Sequence, residues 1–160
     1  MKRDLFKIMG TGAMALMLTI AFAQTSSFAQ GRGARTLEGS WTSIITFRIC
    51  QTGAPIRSFP GMNTFHQGGT MQEYGVGSGL LRGPGHGVWN HQGNLSFYST
   101  FQFFRYNADG SYAGSAIARR QMEVDASGNH YSSTNTTDFL DIDGNVFMTG
   151  CATEAATRFQ

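Results

Sequence analysis

Residues 95–125 read LSFYSTFQFFRYNADGSYAGSAIARRQMEVD, and this stretch decides the fold. Leu95, Phe97, Ser99, Phe101, Phe103 and Arg105 alternate with Ser96, Tyr98, Thr100, Gln102, Phe104 and Tyr106, a period of two rather than 3.6. The odd set is the better inward face, although aromatic residues stand on both sides. Asn107-Ala108-Asp109-Gly110 is a turn. After it, Tyr112, Gly114, Ala116, Ala118, Met122 and Val124 share one face, while Ser115, Arg119, Gln121, Glu123 and Asp125 form a solvent face. Arg120 falls on the inner, otherwise apolar face, beside small residues that leave it room. The segment is therefore a hairpin of two long antiparallel strands.

The same grammar extends in both directions. Upstream, a strand is expected over Trp41–Cys50, a Gly/Pro loop over Gln51–Gly61, and a hairpin over Met62–Tyr74 about Gln67-Gly68-Gly69. Gly75–Gly85 holds five glycines and Pro84, and reads as a mobile loop acting as a lid at a barrel mouth. A short strand His86–His91 and a turn Gln92-Gly93-Asn94 lead into Leu95–Tyr106 and Tyr112–Asp125. Downstream, Ala126–Asn129 turns into His130–Leu140, and Asp141–Gly144 turns into Asn145–Phe159. Turns recurring every dozen or so residues, with no sustained helical period, predict an all-β protein. The expected architecture is an antiparallel up-and-down closed β-barrel of about eight strands.

The N-terminal end is of a different kind. Lys2, Arg3 and Lys7 precede the apolar run Ile8–Ala23, and Ser27-Phe28-Ala29 supplies a small-x-small cleavage pattern. Residues 1–29 thus read as a secretory signal peptide, 30–36 as a polar flexible leader, and 37–160 as the barrel domain. The alternative, a retained membrane anchor, is disfavoured because Gly10, Thr11 and Gly12 interrupt a run already short of the ~20 residues a span needs. No later segment is continuously apolar enough to cross as a helix. Of the 12 Lys+Arg and 10 Asp+Glu, three and one lie in residues 1–29, so nine of each remain beyond it. With no basic stripe, nucleic acid is not an expected partner. Beyond the leader segment every cation is arginine, which excludes lysine Schiff-base chemistry. Export, ending in the periplasm or the medium of a bacterial cell, makes Cys50 and Cys151 an expected disulfide, with two buried thiols as the other reading. First and last strands are neighbours in a barrel, so the bridge would staple its seam.

Gly39-Ser40-Trp41 at the start of the first strand, with Arg158 near the end of the last, resembles the calycin group, which includes the lipocalins. The resemblance implies that Trp41 closes the barrel floor and that Arg158 packs over its ring. Residues 63–70 and 82–89 resemble segments of exported bacterial lipocalin-like proteins of unknown function. The chain departs from ordinary lipocalins in lacking a C-terminal helical pattern and in its Gly/Pro-rich first loop. What the resemblance implies is a fold, not a reaction.

Candidate chemistry is sparse. Arg120 and Glu154 both sit at even positions on inward-leaning faces, and read either as a ligand anchor or as a structural ion pair. Trp89, Phe101, Phe103 and Met122 complete the expected ligand-binding wall, or a plain core. Glu73 and Asp138 are the candidate general acid–base carboxylates, should they face inward, against the commoner outcome of exposure. His66, His86, His91 and His130 lack metal-ligand spacing, and a haem role for any of them is the minor reading. Asp141, Asp143 and Gly144 form a β-turn rather than a calcium loop. No metal and no cofactor is expected.

Three functions remain in view. The first is an exported barrel binding a small hydrophobic molecule, entered by Gly75–Gly85 and oriented by Arg120 with Glu73. The second is a cofactor-free isomerase or cyclase moving a proton with one carboxylate. The third is an interaction or structural barrel with a filled core. A cavity of ~300 Å³ or more favours the first two, a solid interior the third. An inward carboxylate without a basic partner separates enzyme from binder.

Overall fold

The structure is a computed structural model that describes residues 36–160; the segment read as an export signal, and the leader up to residue 35, lie outside the described residues. Eight strands follow one another: β1 (Gly39–Arg48), β2 (Pro55–Phe65), β3 (Thr70–Gly75), β4 (Gly85–Gly93), β5 (Ser96–Tyr106), β6 (Tyr112–Val124), β7 (His130–Leu140) and β8 (Val146–Arg158). Each pairs antiparallel with its chain neighbour, and β1 pairs with β8, so the sheet closes as an up-and-down barrel. A short 3₁₀ turn, Val76–Leu81, is the single helical element among the described residues. No helix there is long and apolar enough to cross a membrane.

The alternation that decides the fold places its side chains as expected on β5 and β6, with an exception: Ser115, assigned to the solvent face, is buried, next to Gly114, whose φ of 104° breaks the regular strand where the β5–β6 register shifts. Phe97 and Phe101 are buried, whereas Phe104 is 53 % exposed on the outer face. Aromatics on both faces therefore reflect one lumenal set and one surface set. On β6, Ala116, Ala118, Arg120, Met122 and Val124 are all buried, and Arg119, Gln121 and Glu123 point outward. Two-residue parity decides this, because a one-residue slip would send every inner side chain into water.

One segment differs from its sequence expectation. Residues 55–61, part of the segment read as loop because of Gly53, Pro55 and Pro60, form the first half of β2. The cause is an edge. β2 pairs with β1 along its whole length, but β3 reaches only to Gly61, opposite Gly75. Beyond that point one side of β2 has no ladder to donate to, and proline is tolerated where an N–H is not required. The turn between β2 and β3 follows its glycines: Gly68 and Gly69 have φ of 92° and 87°, a region that side-chain-bearing residues avoid.

The lower half of the barrel is solid. Leu37, Trp41, Phe65, Phe97, Val124 and Tyr131 pack into one cluster there. Trp41 is fully buried and its Nε1 donates to the Leu37 carbonyl at 2.9 Å. The Tyr131 ring meets it edge-on at 4.9 Å. The Arg158 guanidinium lies 4.2 Å from the Trp41 ring centroid, and also donates to the carbonyls of Gly128, Glu38 and Thr36. One cation thus ties the last strand to the segment entering the first. Loss of a cation–π contact and three charge-assisted bonds in Arg158→Ala is expected to cost about 2–4 kcal/mol in urea denaturation. Arg158→Lys should recover only part of this, since an ammonium cannot lie flat on the indole and reach three carbonyls. A loss below about 0.5 kcal/mol, the range of ordinary surface changes, would contradict this role.

Candidate functional site

Two long polar side chains meet in the lumen because small residues flank them. On β6, Arg120 follows Ala116 and Ala118; on β8, Glu154 lies between Ala152 and Ala156 on the same face. Their side chains are 2 % and 1 % exposed, and Arg120 Nη1 donates to Glu154 Oε2 at 2.8 Å. Removing two charges from water is costly unless every donor and acceptor finds a partner. Here they do. Arg120 also donates to Asn63 Oδ1 and to Ser99 Oγ, both at 2.9 Å, and its remaining edge faces Met71 Sδ at 3.4 Å. Asn63 Nδ2 donates in turn to Glu154 Oε1 at 2.8 Å and to the Tyr131 hydroxyl at 2.9 Å. No buried side-chain nitrogen or oxygen among the described residues lacks a partner.

The electrostatics follow from that packing. Burial works to lower the Arg120 pKa, but the Glu154 and Glu73 carboxylates and the hydrogen bond to Glu154 more than offset it, and the guanidinium stays charged. Burial, followed by the Glu154 charge, pushes the Tyr131 hydroxyl well above its ordinary range, so it remains a neutral partner. The phenyl faces of Phe101 and Phe65 stand 4.7 and 5.6 Å from the guanidinium carbon. The cluster forms a saturated floor across the barrel.

Above this floor is a cavity of about 210 Å³. Ile45, Phe47, Phe59, Phe101, Phe103 and Phe139 supply most of its apolar wall, and Arg120 and Glu154 lie at its base. The glycine-rich segment contributes Gly77, Leu81 and Arg82 to the lining. A Cβ at Gly77 would stand 2.7 Å from the Phe59 ring, and one at Gly85 would stand 2.7 Å from the Phe101 ring. Glycine at these points lets the backbone lie directly on the aromatic wall. Arg82 reaches inward as a fork onto Glu73, with Nη1 at 3.2 Å from Oε1 and Nη2 closing the second bond. Its guanidinium carbon is 3.7 Å from the Phe103 ring centroid. Burial raises the Glu73 pKa above the ordinary carboxylate value, even though the Arg82 charge and hydrogen bonds pull it down.

Of the residues singled out in the sequence, Phe101, Phe103, Arg120, Glu154 and Glu73 come together around this one space. Trp89 and Met122 do not. Trp89 lies towards the closed end, against Phe65 and Phe97, with Nε1 on the His66 carbonyl at 3.0 Å. Met122 is buried beside Ser99, below the floor. Both point inward as their parity requires, but parity says nothing about height along the barrel. Asp138 faces out, bonded to Arg119 at 2.6 Å and to Thr149 at 2.8 Å. Its odd partner positions on β7, Asn135 and Thr137, are lumenal, whereas even-numbered Asp138 pairs opposite Ile117 and Thr149 on the outer face. Hydrogen bonds from Thr149 and Arg119 hold its carboxyl below the ordinary value, which is unlike a poised acid or base.

Sequence reasoning did not single out Asn63, Ser99, Tyr131 or Arg82. The first three sit on inward positions of their strands, and a polar residue at such a position is a usable signal for a lumenal network. Arg82 follows the 3₁₀ turn, where no periodicity applies. Among the described residues no three His, Cys, Asp or Glu side chains group as metal ligands.

Cys50 and Cys151 form a disulfide, with Cα atoms 5.2 Å apart, beside the β1–β8 ladder near the mouth. No protein-family model, no curated protein and no solved structure matches the chain.

Proposed function

We propose that the chain is an exported lipocalin-like barrel that holds one small apolar molecule in the upper half of its lumen. The observation that carries this reading is an aromatic cavity of about 210 Å³ standing on a polar floor with no unsatisfied groups. That volume is below the ~300 Å³ lower bound usual for drug-sized ligands, so the guest is small. The solid lower half fits a filled barrel, but the upper half does not. Trp41 beneath Arg158, together with full closure of the sheet, supports the calycin resemblance. Export is supported by the signal-like N-terminus and by the disulfide, which persists in oxidising compartments.

An enzymatic reading finds less support. Both inward carboxylates, Glu73 and Glu154, are bonded to arginines rather than free to accept a substrate proton. They are spent on structure.

The test is calorimetric titration of the protein with 1-octanol, beside a variant, Ala118→Leu, that narrows the cavity. Saturable one-to-one binding by the wild type, weakened at least about tenfold (~1.4 kcal/mol) in a variant with unchanged circular dichroism, is expected. Absence of saturable binding, or equal binding by the variant, would contradict it.

A further inference from the structure

Charge is not evenly spent around the cavity. Three arginines line it, Arg82, Arg105 and Arg120, against two carboxylates, Glu73 and Glu154. Glu73 is taken by Arg82 and Glu154 by Arg120. Arg105 has no carboxylate partner among the described residues; its one hydrogen bond is a long one, 3.4 Å, to the Leu140 carbonyl. It lies instead against rings, 5.5 Å from the centroid of Phe139 and 5.2 Å from that of Phe147. Arg57 is held in the same way at another part of the rim, 5.2 Å from Phe47 and 5.7 Å from Phe59, two rings that line the cavity. It too has no ion-pair partner among the described residues. A guanidinium lying on an aromatic face keeps its N–H edges free, and those edges match the two oxygens of a carboxylate.

We infer that the molecule held in the cavity is a small apolar monoanion, bound with its acid group outward at Arg105, with Arg57 adding positive charge at the same end of the lumen, and with its apolar end resting on the Arg120–Glu154 floor. This rests on the binding reading above and adds to it the ligand's charge and direction. The reverse orientation is disfavoured by charge: Arg120 Nε and Nη1 are taken by Ser99, Asn63 and Glu154, and an acid group at the remaining Nη2, which faces Met71 Sδ, would lie buried beside the Glu154 carboxylate that already neutralises the guanidinium. Arg82 is likewise neutralised, its two Nη atoms on the Glu73 carboxylate and its Nε on the Gly83 carbonyl. Among the described residues Arg105 and Arg57 are the cations beside the cavity with no carboxylate partner.

Size narrows the class. At roughly 30 Å³ for each water-sized group, 210 Å³ admits about seven. A carboxylate carrying a seven-carbon apolar tail, with its oxygens at the rim, therefore fits, and octanoate is a direct probe.

The experiment is calorimetry of the wild type with octanoate, 1-octanol and octylammonium at low and high salt. Octanoate is expected to bind at least tenfold more tightly than octanol, octylammonium most weakly, and the preference for octanoate should shrink as salt is added. In Arg105→Gln the octanoate-to-octanol affinity ratio should fall towards one, in Arg57→Gln it should fall two- to fivefold, and Arg105→Lys should restore part of it. If octanol binds but octanoate binds no better, or if the ratio survives both glutamine substitutions, the anion assignment is overturned and the apolar cavity stands. If none of the three binds, both fail.

Discussion

Arg120→Leu is expected to destabilise the barrel by about 3–5 kcal/mol, because it strands Glu154 as a buried charge without its cation. That is a large share of the 5–15 kcal/mol typical of a whole domain, so the variant should unfold at much lower urea or not fold at all. The size of the effect comes from burial: the pair is 2 % and 1 % exposed, and Asn63 and Ser99 were also turned towards the guanidinium. Removing both charges should hurt less than removing one. Arg120→Leu combined with Glu154→Leu replaces the ion pair by apolar volume, and such exchanges are often neutral or stabilising elsewhere. Here Asn63 would still lose two of its partners, so recovery of about half the single-variant loss is the expected result, giving a clear coupling term in a double-mutant cycle. Additive losses in urea denaturation would mean that the two side chains do not act as a unit.

Removing the disulfide should be of similar size. Cys50 and Cys151 are 101 residues apart in sequence, and on the chain-entropy model a loop of that length contributes about 4–5 kcal/mol. The location adds a structural reason. Among the eight ladders, β1–β8 is the one whose strands are not chain neighbours, so no turn holds it together. In Cys50→Ala with Cys151→Ala, the midpoint in urea should fall sharply while the slope of free energy against urea rises, since the uncrosslinked denatured chain exposes more surface. A loss below about 1 kcal/mol, well under the 2–5 typical of native bridges, would show that the seam is held by its ladder and by Arg158.

Much of this is legible in the chain. Alternation over residues 95–125 places Arg120 inside, and the same parity places Glu154 inside. The paired cysteines follow from compartment and closure. Three things are not legible, each for a physical reason. Height along the barrel separates Phe103, which lines the cavity, from Trp89 and Met122, which do not, and height depends on the stagger between strands rather than on any one strand. The strand at residues 55–61 is hidden by its prolines, because proline signals a turn unless the unpaired side of an edge absorbs the missing N–H. Arg82 enters the lumen from an irregular segment, where side-chain direction follows no period. Leu37 is missed in the same way: a lone leucine before Gly39 is fully buried because the segment entering β1 packs into the core cluster with Trp41, whose Nε1 donates to the Leu37 carbonyl.

The most direct measurement is a crystal structure of the protein soaked with octanol. Density for one guest among Phe47, Phe59, Phe101 and Phe103 is expected, with Arg120 still 2.8 Å from Glu154 and 2.9 Å from Asn63 beneath it. A lumen that stays closed to the guest, or a guest hydroxyl that takes the place of Glu154 on Arg120, would contradict a cavity standing on a saturated floor.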